Sequence, residues 1–426
     1  MIKPRGRAPQ PVRCPAVIDP AGTPAPPPRR TDRWLVLFGV LTVLCAGVFV
    51  AGAARNRVTA GRMQQADRTI RATLDRQGAA LLRGDRSGWL SDVDPALSGE
   101  LTTLYANLRG LHVSGWLPRT RKIRTGQRWS ADIQIRVCFS TPTCTRTPET
   151  YVPAGDVISA RTEWTVTGNR ATLRVFDQIG PDGSVPWKRT ALTFATGRRV
   201  VVAAPKDAKN PRPEAWLPAA ERAAQVADRY AVTEPRPGRY VVFLAGERHW
   251  REAVGEDREA AAFVDRTSEQ TAFAIIDATA LGADPTDERL LRHEFGHIAT
   301  LLGTLDNRDE WIIEGMAEYI AYTGAAVRSY ELVEDARWHV THKAWTGRLD
   351  LEWSTEPTER FGYYAMAFLA MRCLGETYGE AKLLSFFTRV AREGEPPAEA
   401  AAEALGRPWD EVQSACRPKI LAWLKA

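Results

Sequence analysis

Two histidines and a glutamate stand at a chemically suggestive spacing in this 426-residue chain, as His293-Glu294-Phe295-Gly296-His297. On a helix, His293 and His297 differ by about 40° around the axis and about 6 Å along it, so both imidazoles project to one side. One zinc ion can then take both nitrogens at about 2.0–2.1 Å. Glu294 sits on the flank of the same face. It does not easily reach the metal, but it reaches a water there, the base position of an HExxH arrangement. The alternative is a helix whose histidines happen to face a core.

The next helical segment, Asp309–Tyr322, bears on that choice. Glu314 and Glu318 are four apart and share a face, while Ile312, Ile313, Met316 and Ile320 supply apolar packing. Carboxylates facing a packed interior are costly unless paired or metal-bound. Two surface ion pairs are the competing reading. Gly315 leaves room for a close approach of this helix to the first. Sixteen residues separate His297 from Glu314, enough for a helix end, a loop and a helix start.

Taken together, His293–His297 and Trp311-Ile312-Ile313-Glu314-Gly315-Met316-Ala317-Glu318-Tyr319 resemble the gluzincin metallopeptidases, more narrowly the peptidase-MA-like group. The resemblance implies that Glu314 is the third zinc ligand beside His293 and His297. It also implies that Glu318 supports the site, accepting the spare ring N–H of a ligating histidine. Downstream, Phe361–Phe387 looks like the tyrosine-led helix and Tyr-Gly-Glu turn of the same group. By that likeness Tyr364 is the donor to a tetrahedral oxyanion, with Tyr363 its neighbour and His339 or His342 as rivals; a packing role is the plain alternative for any helical tyrosine. The implied activity is hydrolysis of peptide bonds, with Glu294 as proton acceptor and donor. The chain departs from many gluzincin aminopeptidases in having no Gly-x-Met-Glu-Asn segment, so exopeptidase action is unsupported. A strand at Phe273–Ile276 is expected at the cleft edge, where an extended peptide could pair with it. The alternative from another class is a non-catalytic, zinc-stabilised platform for a ligand or partner, against which Glu294 argues because metal binding alone does not need it; a non-peptidic zinc hydrolase is a second.

The elements that position these groups can be read outward. Asp284 or Thr286 can cap the first motif helix, Pro285 suits its first turn and Gly303 its end. A helix at Trp216–Tyr230 and strands at Arg239–Leu244 and Thr271–Ile276 precede it. These make residues 215–426 a mainly helical domain with a small sheet, the zinc metallopeptidase domain of the reading. Residues 205–214, PKDAKNPRPE, read as a linker.

Residues 60–204 read as a first ectodomain, helices followed by antiparallel strands at Trp129–Phe139, Ser159–Val166, Ala171–Phe176 and Thr190–Val202. The order is α+β. The segment ALLRGDRSGWLSDVDP, followed by NLRGL and this sheet, is similar to the NTF2-like cone fold.

The net charge of +6 is concentrated at the start: residues 1–33 hold seven Lys/Arg against two Asp, with nine prolines. That is a disordered basic tail, and the near-neutral remainder argues against a nucleic-acid partner. Residues 34–54 carry no charge over 21 residues, about 30 Å as a helix and enough to span a bilayer. A signal-peptide core is usually shorter, although Ala51-Gly52-Ala53 would pass as a cleavage site. The long carboxy-terminal remainder favours a cytoplasmic amino terminus and extracytoplasmic domains. Beyond this segment four cysteines remain, and two local disulfides, Cys138 with Cys144 and Cys373 with Cys416, are expected in an oxidising compartment.

Overall fold

The computed structural model describes the backbone of residues 31–144, 157–179, 186–208, 212–232, 236–254, 261–268, 270–279, 288–304, 309–343, 345–351 and 356–425. The chain divides into two compact units, Met1–Arg62 and Met63–Ala426. Of the first unit, helical backbone is described from Thr31, within helix α1 (Thr31–Arg83). The side chains of the apolar segment 34–54 and the whole tail 1–30 lie outside the described residues. Among the described residues no helix is long and apolar enough to cross a membrane.

The second unit is a mixture of helix and sheet, α+β as expected. It opens with the carboxy-terminal part of α1, then α2 (Arg86–Leu90) and α3 (Ser98–Gly110). These pack on a four-stranded antiparallel meander, β1 (Gly115–Arg124), β2 (Trp129–Cys138), β3 (Val157–Thr167) and β4 (Arg170–Ile179). Three of the four expected strands fall here. The fourth, Thr190–Val202, is two strands, β5 (Leu192–Thr196) and β6 (Val200–Pro205). The break has a local cause: Glu221 accepts hydrogen bonds from the backbone N–H groups of Arg199 (2.8 Å) and Val200 (2.9 Å), fixing a turn after Gly197.

Strands β5 and β6 do not join the meander. With β7 (Tyr240–Ala245), β8 (Ala262–Ser268) and β9 (Thr271–Asp277) they form a five-stranded mixed sheet in the order β5-β6-β7-β9-β8. Residues 205–214 therefore do not separate one sheet from the other; they lead from β6 into helix α4 (Pro213–Ala227), which packs on β6 itself. β9, expected at the cleft edge, is instead an interior strand parallel to β7 and antiparallel to β8. The edge is β8.

Both faces of this sheet are buried, which explains the unbroken apolar runs VVVAA, YVVFLA and TAFAII. Val201, Ala203, Val241, Phe243, Phe273 and Ile275 join the core of the meander and its helices. Val200, Val202, Val242, Leu244, Ala274 and Ile276 face α4 and helix α6 (Arg289–Leu301). The alternation is that of successive strand side chains.

After α5 (Glu247–Val254), α6 and α7 (Glu310–Ala321), the chain is helical: α8 (Val333–His342), α9 (Pro357–Tyr378), α10 (Glu380–Phe387), α11 (Pro397–Ala400) and α12 (Trp409–Lys425). Gly379, at φ 89°, makes the turn between α9 and α10. Both expected disulfides are present, Cys138–Cys144 at the end of β2 and Cys373–Cys416 tying α9 to α12.

Two glycines set the helix spacing, and they divide that role differently from the expectation. Gly296, on α6, faces Ala317 and Ile320 of α7. Gly315 instead faces α9, where an added Cβ would lie 2.6 Å from the Ala367 carbonyl oxygen. A side chain can rotate away but a helix carbonyl cannot. Gly315→Ala should therefore lower stability by about 1–2 kcal/mol in denaturant or thermal unfolding, overpacking outweighing the gain in helix propensity. Gly296→Ala, whose nearest contact would be the Ile320 Cδ1 at 3.2 Å, should cost less.

Candidate metal centre

Helix α6 is held on all sides. Leu291, Phe295, Ile298 and Ala299 bury against the sheet and α4. Its end at Leu301 is followed by Gly303 at φ 93°, as the glycine suggested. Arg392, on a π-helical turn (Thr388–Arg392) after α10, donates from one nitrogen to the carbonyls of Thr300 and Leu302, both at 2.9 Å. A cation at these carbonyls complements the helix dipole as well as its unpaired acceptors. The expected amino-terminal signals Asp284, Pro285 and Thr286 lie outside the described residues. Helix α7 packs Ile312, Met316 and Ile320 into the helical core and turns Glu314 and Glu318 toward α6.

The outcome is a convergence of three donors. His293 Nε2 and His297 Nε2 are 3.1 Å apart, and Glu314 Oε2 lies 3.3 Å from the first and 3.4 Å from the second. A tetrahedral zinc with bonds of about 2.0–2.1 Å needs its ligand atoms about 3.3–3.4 Å apart. The three side chains fit such an ion, and together they are a group that could hold a metal. Glu318 Oε1 is 3.0 Å from His293 Nδ1. That bond orients the ring so that Nε2 points to the common centre.

The charges follow from the crowding. Burial works against a charged His293, yet hydrogen bonds to Glu314 and Glu318 outweigh it and raise its pKa well above the usual histidine range. Burial likewise works against the Glu314 carboxylate, and the neighbouring His297 and His293 outweigh it and lower its pKa.

Glu294 differs from both. Only 4% of it is exposed, and among the described residues its Oε2 has no hydrogen-bond partner. Burial raises its pKa against the attraction of His293 and His297. An unpartnered buried carboxyl oxygen is expensive, and here it sits beside two candidate ligands. Tyr364, on α9, brings its ring centroid to 6.4 Å from that of His293. Burial, then Glu314 and Glu294, raise its pKa, so its hydroxyl keeps its proton.

The rival donors lie elsewhere. His339 is buried against Tyr363, ring centroids 4.9 Å apart, and among the described residues its Nδ1 has no partner. His342 is exposed, stacked on Trp338 and 3.0 Å from the Trp338 carbonyl.

Two residues near the centre escape a reading of the sequence. Arg392 lies nearly a hundred residues beyond the helix it caps, a contact with no local signal. Tyr330, after α7, is buried with its hydroxyl turned toward Glu318; burial and then the Glu318 carboxylate raise its pKa.

Glu318→Gln should leave the fold intact and weaken zinc binding about 10–100-fold, read by competition with a chromophoric chelator. Unchanged affinity would remove Glu318 from the support of the site.

No protein-family model and no curated protein matches this chain. Among solved structures, it is similar to a mutant of a two-domain M1 zinc metallopeptidase bound to L-tryptophan, at 14% identity over 73% of this chain and 94% of that one, with a TM-score of 0.34. A second mutant structure of a two-domain M1 zinc metallopeptidase, bound to L-arginine, matches at 12% identity over 73% of this chain and 93% of that one, also with a TM-score of 0.34.

Proposed function

We propose that this chain is a membrane-anchored, extracytoplasmic zinc peptidase of the gluzincin type. One observation carries the reading: a donor triangle of the right size for zinc stands beside a buried glutamate that it does not use. His293, His297 and Glu314 would hold the ion, and Glu318 would orient His293. Bound zinc supplies Lewis acidity and makes water nucleophilic near neutral pH. Glu294 takes the proton of the attacking water and passes it to the leaving amine, a role suited to a carboxyl whose pKa burial has raised. Tyr364 remains protonated and donates to the developing oxyanion. Substrate lies extended along the open edge of β8.

The compartment follows from other features. Two disulfides are stable where thiols oxidise. The uncharged segment 34–54 supplies the anchor, with the basic tail 1–33 in the cytoplasm. The NTF2-like reading of the first ectodomain draws support from its helices packed on an antiparallel meander; there it serves as a spacer or ligand-binding module.

The test is cleavage of a mixed peptide pool by the purified protein with and without a zinc chelator. Glu294→Gln should bind zinc as tightly and lose about 10²–10⁴-fold in cleavage rate. His293→Ala should lose the metal, read by elemental analysis. One zinc per chain with no cleavage of any peptide would favour the scaffold reading; cleavage surviving in Glu294→Gln would reject the assignment.

A further inference from the structure

Strand β8 pairs with β9 alone, so among the described residues its outer edge is open. Ala262 and Val264 pack on the α6 side of the sheet and Phe263 on the other. Alternation therefore puts Arg266 on the α6 side, the side of the metal centre. The register shifts between Arg266 and Ser268; such a bulge re-aims the side chains beside it.

The Arg266 guanidinium is half-buried and donates to the Thr304 carbonyl, just past the end of α6, at 3.2 Å. Among the described residues no carboxylate lies within ion-pair distance of it. Burial lowers its pKa, and the attraction of Glu310 and then Glu314 works against that. Capping of α6 does not account for it, since Arg392 already holds the Thr300 and Leu302 carbonyls. A guanidinium has five N–H donors in a planar fork matched to a carboxylate. Holding it part-buried on one neutral acceptor is costly unless something else completes it.

We propose that Arg266 selects substrates bearing a carboxylate at the position that falls across from it when a peptide adds to the open edge of β8. The inference rests on the peptidase reading and deepens it. Side chains directly opposite on neighbouring strands share a face, so one substrate residue meets Arg266 on the α6 side. An Asp or Glu side chain supplies that carboxylate, or the terminal carboxylate of a chain ending there.

The experiment uses the zinc-loaded full-length protein and peptides in which each position in turn is Glu or Gln, with acid or amide carboxy termini. The wild type should favour one Glu position, or the free acid, by about 10–100-fold in kcat/KM, chiefly through KM. Arg266→Gln should bring that ratio to near one, and Arg266→Lys should keep its direction at reduced size. A residue that merely caps α6 would lower both members of each pair and leave the ratio unchanged. Equal use of Glu and Gln peptides by the wild type, or a ratio that survives Arg266→Gln, overturns the proposal. Binding of the same labelled peptides to Glu294→Gln, with and without Arg266→Gln, separates the two readings. An acid preference that needs Arg266 upholds this inference even where no peptide is cut, and its absence overturns the inference even where peptides are cut.

Discussion

Three electron-pair donors are held within about one ion's width of each other, in a place from which water is largely excluded. Left alone, such groups repel or must share protons, so the surrounding structure has to force them together. The force is packing. α6 cannot tilt away because the sheet lies on one side of it and α7 on the other, and α7 is pressed from behind by α9 at the Ala367 backbone. Arg392 closes the end of α6. What reads as a metal centre is thus the point where several independent packing surfaces meet.

That arrangement also explains the unequal treatment of the acidic groups. Glu314 shares its charge with two imidazoles and Glu318 with one ring N–H, so both are compensated. Among the described residues Glu294 shares its Oε2 with nothing. In a scaffold such a group would be a defect, and a glutamine or a smaller apolar residue would stabilise the fold better. In the hydrolase proposed above it would be the working group.

The site is legible in the sequence because its chemistry constrains spacing directly: a four-residue step from imidazole to imidazole and another from carboxylate to carboxylate are fixed by the helix, and both helices form as expected. The two disulfides are legible for the same reason of proximity and parity. The sheet is not. β1 runs GWLPRTRKIR, with a proline and four basic residues, and β8 runs AFVDRTS, so neither announces itself by apolar alternation. Without β8 in view, β9 reads as an edge. The boundary near residue 204 fails to mark separate sheets because VVVAA, buried on both faces, reads alike whether it closes one module or opens the next. Gly315 reads as serving α6 because sequence shows that a glycine permits contact but not which neighbour it meets.

The shared sheet has an architectural consequence. Because β5 and β6 come from before the expected boundary and complete the sheet that backs α6, the two halves are not beads on a string. Excising the carboxy-terminal half at residue 215 would strip β7 of its neighbour and bare the apolar residues Val241, Phe243 and Ile275 that the meander covers. Such a fragment would carry His293, His297 and Glu314 and still lack the floor on which they stand. Any natural shuffling of this half between proteins would have to carry the two borrowed strands along with it.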